Sequence, residues 1–230
     1  MNPPRSVPLS IIIPTLNEAE AIGETLAALR PLRARGAEVI VADGGSADDT
    51  VYLSRPLADA VVVSEPGRAR QQNAGAAVAN GDILLFLHAD TRLPAGADAL
   101  IAEGLRRTNG GWGRFDVRLT GRHPMLRVIE RMMGVRSRLS GIATGDQAIF
   151  VHRDWFRAAG GFPQIPLMED VALSKALKRL GPPLCLRETV TTSSRRWEQR
   201  GVWRTMLLMW RLRLDYWLGA DPADLADRYR

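Results

Sequence analysis

The sequence predicts an α/β domain with a mixed, mainly parallel sheet flanked by helices. Short apolar runs recur at residues 9–13, 38–42, 60–63 and 83–87, and segments with helical apolar spacing follow several of them. The run at 83–87 holds five consecutive apolar residues and ends abruptly in a polar segment. Such a run is typical of a strand buried on both faces of a parallel sheet. Ligands of open α/β sheets bind beyond the carboxyl ends of such strands, so we expect the site there.

Length and composition suit one large α/β domain, or a domain with a C-terminal extension. The 230 residues are 46% hydrophobic, which is enough to bury a full core. The single cysteine, Cys185, excludes an internal disulfide and favours the reducing cytoplasm. No stretch approaches the roughly 20 apolar residues of a membrane-spanning helix, and residues 1–8 show no signal-peptide pattern.

The net charge of +6 comes largely from arginines crowded at residues 106–138 and 195–213. A basic surface can face nucleic acid, anionic lipid or a phosphorylated substrate. No helix-turn-helix, zinc-ligand or RNP pattern accompanies the charge, so we expect no nucleic-acid partner.

The first predicted strand ends at Pro14, and its turn carries Thr15, Asn17 and Glu18 before a helix. A Rossmann domain that binds NAD or SAM would place Gly-x-Gly-x-x-Gly at this turn. Its absence argues against a pyrophosphate resting on the first helix.

Two glycines and several acidic residues follow the second predicted strand. The glycines would let the backbone approach a ligand, and the acidic side chains could accept hydrogen bonds from a base or ribose. A turn in which Ser46 or Asp48 caps the next helix explains the same residues, and it would leave Asp43 free at the strand end.

Two further strand ends carry charged residues that suit a phosphate-bearing ligand. Arg68 and Arg70 follow the third strand near a helix N-terminus, where their charge opposes the helix dipole. A bound anion or simple solvation would each account for them. Asp90 follows the fourth strand, where a carboxylate suits a divalent cation that bridges two phosphates, or an Asx-type turn.

Four segments together resemble the family 2 glycosyltransferases. They are residues 10–18 (SIIIPTLNE), 43–50 (DGGSADDT), 67–75 (GRARQQNAG) and 87–91 (LHADT), in the family's order and spacing. The chain is most similar to the small bacterial members associated with radical-SAM and selenodomain or arsenosugar genes. This resemblance implies a GT-A fold, which is Rossmann-related, and a nucleotide-sugar donor with a UDP-hexose as the default.

The resemblance also implies which residues hold the donor and a divalent metal, Mn²⁺ or Mg²⁺. The metal would bind at Asp90, but the family's Asp-x-Asp is His88-Ala89-Asp90 here, so one carboxylate is missing. We expect His88 as the second ligand, since imidazole is acceptable to Mn²⁺. The implied donor-binding residues are Pro14, Thr15, Asn17, Glu18, Asp43, Gly44, Arg68, Arg70, Asn73, Ala89 and Arg196.

The second half of the chain carries the implied catalytic base. We predict a strand with one wet face over 110–119, a basic and apolar helix over 122–140, and a strand over 148–151. Glu169 and Asp170 begin a further helix, where acidic residues also suit the helix dipole. The resemblance makes Asp170 the base, with Glu169 beside it. One carboxylate that accepts the acceptor's proton suffices for single displacement with inversion.

Residues 193–197 (SSRRW) occupy the place of the Gln-x-x-Arg-Trp motif of processive family members. Ser193 replaces the glutamine and no membrane-spanning segment follows, so we expect no polymer export. Arg195 or Arg196 could neutralise the leaving diphosphate.

The last helix is predicted over 198–218 with two apolar faces. We expect the face with Trp203 to pack on the domain and the face with Leu208 and Leu212 to meet a second subunit or a lipid surface. The acceptor is accordingly either a small molecule or lipid-linked. We expect a cytoplasmic protein, with peripheral contact at the inner face of the membrane if lipid is the partner.

We divide the chain into a GT-A domain over 1–197 and a helical extension over 198–230. The domain has a nucleotide-binding half over 1–107 and an acceptor half over 108–197. Two alternatives compete with this reading. A sugar nucleotidyltransferase would need a glycine-rich basic loop after the first strand, which the sequence lacks. A degenerate, membrane-associated scaffold would explain His88 as decay of the metal site.

Overall fold

In the computed structural model, which describes residues 9–229, eight strands form one sheet with helices packed against it. Residues 1–8 lie outside the described part, and so does the prediction that they form no signal peptide. The strands are β1 (Leu9–Thr15), β2 (Glu38–Asp43), β3 (Ala60–Val63), β4 (Ile83–Phe86), β5 (Thr91–Arg92), β6 (Trp112–Leu119), β7 (Phe150–His152) and β8 (Leu184–Thr192). The helices are α1 (Ala19–Ala28), α2 (Arg30–Ala34), α3 (Thr50–Ser54), α4 (Arg68–Val78), α5 (Ala97–Thr108), α6 (Pro124–Ser140), α7 (Arg153–Ala158), α8 (Glu169–Leu180), α9 (Arg195–Arg200), α10 (Val202–Trp217) and α11 (Pro222–Tyr229), with a 3₁₀ turn at Gly145–Gln147.

The sheet is parallel at one end and mixed at the other. Its order is β3-β2-β1-β4-β7-β6-β8-β5. Strand β1 pairs in parallel with β2 and β4, and β2 pairs in parallel with β3. Strand β7 is antiparallel to β4 and β6, whereas β8 is parallel to β6. The predicted mixed, mainly parallel sheet is therefore confirmed.

Alternation along the parallel strands builds an apolar layer on each face of the sheet. In β1, Ile11 and Ile13 belong to one buried cluster and Ile12 belongs to another. Helices α1 and α5 cover the first cluster, and helices α4 and α8 cover the second. Burial on both faces explains why these strands appear in the sequence as continuous apolar runs.

The strand predicted over 110–119 forms as β6, but its predicted wet face is exposed only at Arg118 and half-buried at Asp116. Trp112 and Arg114 are both 0% exposed. Arg114 forms an ion pair with Asp116 and donates a 3.3 Å hydrogen bond to the carbonyl oxygen of Gly134 in α6. The arginine is buried because it is paired, and sequence periodicity does not reveal such pairing.

The helix predicted over 198–218 is two helices, α9 and α10. Gly201 separates them with a φ of +83°, a left-handed conformation that glycine adopts without steric cost. Within residues 9–229, none of the helices combines the length and the apolar character that crossing a bilayer requires.

The two faces of α10 are the reverse of the prediction. Leu212 is 0% exposed and packs with Leu167 and Met168 before α8, and Leu208 packs against the same cluster. The exposed apolar side chains of α10 are Trp203, Leu207, Trp210, Leu214 and Trp217, which are 48% to 73% exposed. Both faces are apolar, so the sequence pattern alone could not tell which one meets the apolar surface beside α8.

Candidate functional site

The carboxyl ends of β1 and β4 open into a cavity of about 800 Å³. Its walls come from the loops after these strands, the starts of α4 and α8, the 3₁₀ turn, and helices α9, α10 and α11. The predicted site residues that line it are Pro14, Thr15, Glu18, Arg68, His88, Ala89, Asp90, Glu169, Asp170 and Arg196. A second, more open hollow beside Arg118 and Arg127 contains none of them and no acidic side chain.

Asp170 is held in the first turn of α8 by two backbone donors. Its Oδ2 atom accepts a hydrogen bond from the nitrogen of Gly145 at 2.7 Å, and its Oδ1 atom accepts one from the nitrogen of Val171 at 2.7 Å. Each carboxylate oxygen has a further lone pair, so Asp170 can still accept a proton from a ligand in the cavity. A fixed orientation with spare acceptor capacity is what a general base requires.

His88 lies next to Asp170, with Gly145 between them. A Cβ added to Gly145 would lie 2.5 Å from Nε2 of His88 and 3.8 Å from Oδ2 of Asp170. On the other side of the ring, Nδ1 lies 3.4 Å from Oδ1 of Asp146. The Nε2 atom is buried and has no hydrogen-bond partner among residues 9–229. An unpartnered buried nitrogen is costly, so its position fits a site completed by a ligand or metal.

Asp90 and Glu18 are acidic neighbours that also line the cavity. Burial raises the pKa of Glu18, and the negative charge of Asp90 raises it further. Among residues 9–229, the Oδ1 atom of Asp90 accepts only long hydrogen bonds of 3.4 Å, from the hydroxyl groups of Thr91 and Thr192. Because carboxylates close to each other repel, a cation near Asp90 would stabilise both.

These residues fit a divalent ion that protein and ligand hold together. In the part of the chain that the structure describes, no three His, Cys, Asp or Glu side chains are grouped to bind an ion alone. Ions such as Mg²⁺ are commonly held by one or two carboxylates with substrate phosphates and water. Asp90 offers a weakly engaged carboxylate and His88 offers an unpartnered nitrogen, so both remain the predicted ligands.

Glu169 is buried behind Asp170, with 3% of its side chain exposed. Burial raises the pKa of Glu169, and the charge of Asp170 raises it further. Arg68 offsets part of this effect, since its Nη1 atom lies 3.4 Å from Oε1 of Glu169. Arg68 thereby connects α4 with α8 and still lines the cavity.

Asp43 is not free at the end of β2, contrary to the prediction. Its carboxylate accepts hydrogen bonds from the hydroxyl of Thr15, from the nitrogens of Gly45 and Ser46, and from the hydroxyl of Ser46. The Ser46 hydroxyl also accepts a 2.8 Å bond from the nitrogen of Asn17, which has a φ of +55°. Asp43 and Asn17 therefore join the loops after β1 and β2, outside the cavity lining.

Gly44, Arg70 and Asn73 also lie outside the lining. Gly44 stands in the turn after β2. Arg70 is exposed and donates a 2.6 Å hydrogen bond to Glu65. The Asn73 side chain donates to the carbonyl oxygen of Phe162 at 2.7 Å and accepts from its nitrogen at 3.0 Å. Asn73 thus ties α4 to the loop that follows α7.

The C-terminal helices close the cavity with a cationic wall. The guanidinium of Arg196 lies 3.8 Å from the ring centroid of Tyr229, and both residues line the cavity. Burial lowers the pKa of Arg196, and the charges of Arg200 and Arg68 lower it further. Arginines held this close together favour an anionic ligand.

Sequence reasoning missed four lining or neighbouring residues: Asp146, Arg136, Arg213 and Tyr229. The sequence does show Gly145-Asp146 before a strand, and acidic residues at strand and turn ends are a usable signal. Nothing local distinguishes these last three residues in the sequence. The packing of α10 and α11 brings Arg213 and Tyr229 to the cavity, and that of α6 brings Arg136 close enough to interact with Arg213 and Asp170 by charge.

Comparison with known sequences gives one family and two relatives. The family model described as "Glycosyl transferase family 2" matches residues 10–154. Proteins from two strains of Mycobacterium tuberculosis, each named an uncharacterized glycosyltransferase, are 38% identical over 124 residues. The match covers 49% of this chain and 47% of each relative, so the chain spans about half the length of these relatives.

Solved structures share the fold at low sequence identity. TarS of Staphylococcus aureus has a TM-score of 0.67 and 18% identity, over 81% of this chain and 36% of that chain. A mannosyltransferase from Pyrobaculum calidifontis, in complex with GDP-Man and Mn²⁺, has a TM-score of 0.63 and 22% identity, over 89% of this chain and 60% of that chain. Glucosyl-3-phosphoglycerate synthase from M. tuberculosis, in complex with Mn²⁺, UDP and glucosyl-3-phosphoglycerate, has a TM-score of 0.56 and 20% identity, over 80% of this chain and 70% of that chain.

Proposed function

The chain belongs to glycosyl transferase family 2 and has the GT-A fold of its structural neighbours, and on this basis we propose that it transfers a sugar from a nucleoside-diphosphate sugar to an acceptor hydroxyl. The observation that carries the proposal is the placement of Asp170 and Asp90 in one cavity with cationic residues of α4 and α9. Two carboxylates in different surroundings can take two different roles. A UDP-hexose is the default donor.

The proposed reaction is a single displacement with inversion at the anomeric carbon. The acceptor oxygen forms a bond to this carbon while the bond from carbon to the diphosphate oxygen breaks. The proton of the acceptor hydroxyl passes to Asp170, and the nucleoside diphosphate leaves. Gly145 and Val171 orient the base through their backbone nitrogens. Glu169 is buried and paired with Arg68, so it supports Asp170 and does not attack the sugar.

The donor would lie against the lining residues of the loops after β1 and β4. Arg68 and Arg196 would face its diphosphate, since guanidinium groups bind phosphate oxygens well. A divalent ion, Mn²⁺ or Mg²⁺, bound at Asp90 and His88 would neutralise part of the diphosphate charge. The predicted donor residues outside the lining would act only through the loops that they hold; these are Asn17, Asp43, Gly44, Arg70 and Asn73.

We keep the proposed division of the chain into a GT-A domain over 1–197 and a helical extension over 198–230. The nucleotide-binding half of the domain ends at residue 107, and the acceptor half begins at residue 108. The C-terminal extension belongs to the site, because residues of α10 and α11 line the cavity. A cytoplasmic location follows only from the single cysteine and is part of the proposal.

Donor hydrolysis tests this function without knowledge of the acceptor. The full chain is incubated with UDP-glucose and Mn²⁺, and the released sugar is followed by proton NMR, with water as the acceptor. Inversion of the α-linked donor gives β-glucose before mutarotation, so α-glucose appearing first would contradict the mechanism.

Two further measurements address the alternatives. Formation of UTP and glucose 1-phosphate from UDP-glucose and pyrophosphate would identify a sugar nucleotidyltransferase. Calorimetric titration with UDP, with and without Mn²⁺, addresses the scaffold, since a degenerate domain would show no metal-dependent binding.

A further inference from the structure

The side chains of two arginines near Asp170 have no partner among residues 9–229. The guanidinium groups of Arg136 in α6 and Arg213 in α10 make no hydrogen bond and no ion pair within residues 9–229, and the Nε and Nη2 atoms of Arg136 are buried. Neighbouring arginines differ in this respect. Arg68 pairs with Glu169, and Arg114 pairs with Asp116. A buried guanidinium without an acceptor costs free energy that a bound anion would recover.

Arg213 lines the cavity, and Arg136 lies close enough to interact by charge with Arg213 and with Asp170. Arg213 lines the cavity together with Asp146 and Asp170. Burial lowers the pKa of Arg136 to about 10, and the positive charge of Arg213 contributes to the lowering, while Asp170 and Asp146 offset only part of it. Positive charge is therefore concentrated beside the proposed base and incompletely balanced by the protein.

The position of Arg213 relative to the base is fixed by packing. Its neighbour Leu212 is fully buried in an apolar cluster with Met168, the residue that precedes α8. Because Asp170 is in the first turn of α8, the same cluster places the start of α8 and this part of α10 side by side. An arginine on a packed helix loses less conformational freedom on binding than one on a mobile loop.

We propose that Arg136 and Arg213 form an anion-binding subsite for the acceptor, which carries a phosphate or carboxylate group close to its reacting hydroxyl. The inference rests on the proposed function, because a base must contact the acceptor hydroxyl, and groups beside the base therefore contact the acceptor. The donor diphosphate has its own cations in Arg68 and Arg196. Guanidinium groups bind phosphate and carboxylate through paired hydrogen bonds, which suits either anion.

Calorimetry on the full chain saturated with UDP and Mn²⁺ tests this subsite, with sn-glycerol 3-phosphate as the probe. We expect the probe to bind and glycerol not to bind. Arg136→Gln and Arg213→Gln should each weaken probe binding by about tenfold or more. Arg157→Gln is the matched control, since Arg157 is exposed on α7 and should leave the affinity unchanged. Equal probe affinity in the native protein and both variants would overturn the proposal.

Thermal unfolding separates anion binding from a structural role. Without added anions, Arg136→Gln should keep or raise the Tm, because it removes an unpartnered charge, and the Tm rise caused by the probe should shrink. A lower Tm with unchanged probe affinity would assign Arg136 a structural role and end the proposal. Arg213 is only partly buried, so Arg213→Gln provides the test if Arg136→Gln does not fold.

Separate measurements distinguish the subsite from the donor site and identify the source of the anion. A loss of UDP affinity equal to the loss of probe affinity would move the arginines to the donor site and overturn the subsite. If the proposed function itself is wrong, the native protein will not bind UDP or hydrolyse the donor.

In a parallel experiment, vesicles that contain phosphatidic acid replace the soluble probe. Arg213-dependent binding to vesicles alone supports a lipid-borne anion, and binding of the soluble probe supports a free one.

The outward faces of α6 and α10 carry an independent second inference. Of the 15 exposed large apolar side chains in residues 9–229, ten lie on these two helices or directly after α10. Apart from Leu218, which directly follows Trp217, they repeat every three or four residues, so each helix presents one apolar stripe. The two helices contact each other. The α6/α10 apolar face consists of Val128, Met132, Val135, Leu139, Trp203, Leu207, Trp210, Leu214, Trp217 and Leu218.

Charge and residue type identify the partner of this face. The two helices contain seven arginines and two acidic residues. Arg131 and Arg204 are exposed and make no ion pair within the described residues. Tryptophan concentrates at membrane interfaces, where its ring lies at the headgroup level. Basic residues beside an apolar helix face suit anionic headgroups. We propose that the α6/α10 apolar face docks on an anionic lipid surface.

Vesicle flotation tests the lipid proposal on the full chain. The native protein should float with vesicles of phosphatidylcholine and phosphatidylglycerol and float less with phosphatidylcholine alone. Leu207→Glu with Leu214→Glu should abolish flotation, whereas Tyr52→Glu, an exposed position on α3, should not. Flotation of the double variant at the native level would overturn the proposal. So would a native dimer that light scattering shows to dissociate in the double variant, because the face would then be a subunit contact.

Discussion

The Oδ2 atom of Asp170 accepts a 2.7 Å hydrogen bond from the nitrogen of Gly145, and this glycine leaves no space for a side chain on the side of His88. A Cβ at position 145 would lie 2.5 Å from Nε2 of His88, closer than real contacts allow. Gly145 therefore holds the proposed base while it allows the predicted metal ligand to approach. A side chain at this position would force the His88 ring or the 3₁₀ turn to move.

Gly145→Ala should lower turnover by about 10- to 100-fold, because the His88 ring or the 3₁₀ turn must move and small displacements are costly in a reaction site. Donor hydrolysis with UDP-glucose measures the effect. Gly23→Ala in α1 is the control, since a Cβ there meets nothing within 4 Å, and it should leave turnover unchanged. Native turnover in Gly145→Ala would mean that His88 can shift without consequence.

Asp170→Asn should lower turnover by about 100-fold or more and leave UDP affinity unchanged, because it removes proton acceptance at constant size. Asp170 accepts two backbone hydrogen bonds, and an amide can accept only on its oxygen, so the Tm should fall slightly. Asp154→Asn, at an exposed position of α7, serves as the control. Full turnover in Asp170→Asn would place the base elsewhere, with Glu169 tested next.

Asp90→Ala should abolish the part of UDP affinity that depends on Mn²⁺, since it removes the carboxylate predicted to hold the ion. His88→Ala should reduce that part less. Calorimetric titration of UDP with Mn²⁺ and with a chelator measures the difference. Identical UDP affinity with and without Mn²⁺ in the native protein would remove the metal from the proposed mechanism.

The first half of the fold could be predicted because its strands are continuous apolar runs, which report burial on both faces directly. The failures have tertiary causes. Arg114 is buried because Asp116 and the carbonyl of Gly134 pair with it. Leu212 is buried because it packs against Leu167 and Met168, whereas Trp203 on the other face of α10 is exposed.

Short motifs predicted Asp90 after a strand end and Asp170 at a helix start, and the structure brings both residues to one cavity. The role of Asp43 could not be predicted from the sequence, because its hydrogen bonds with Thr15 and Ser46 depend on how two loops meet. Arg213 carries no local signal either, since only the packing of α10 beside α8 directs it to the cavity.

Glu169→Gln should change how stability depends on pH. The folded-state pKa of Glu169 is raised above its ordinary 4.5 by burial and by Asp170, so the native state retains a proton that the unfolded chain releases. Native stability should therefore fall as pH rises from 4.5 through the folded-state pKa. The Tm of Glu169→Gln relative to native should increase over the same range.

Thermal unfolding between pH 4 and 8 measures this difference. Glu103→Gln, at an exposed position of α5, should show no such trend. A relative Tm of Glu169→Gln that decreases with pH would show that the ion pair with Arg68 outweighs burial.

The reversed faces of α10 give a stability prediction that is independent of any ligand. Leu212→Glu should lower the free energy of unfolding by about 3 kcal/mol or more, because it buries an unpaired charge in the cluster with Leu167 and Met168. Leu207→Glu, where the native side chain is 59% exposed, should change it by no more than about 0.5 kcal/mol. Urea unfolding of both variants measures the contrast. If Leu207→Glu is the destabilised variant, the Trp203 face packs on the domain and the α6/α10 apolar face is not a free surface.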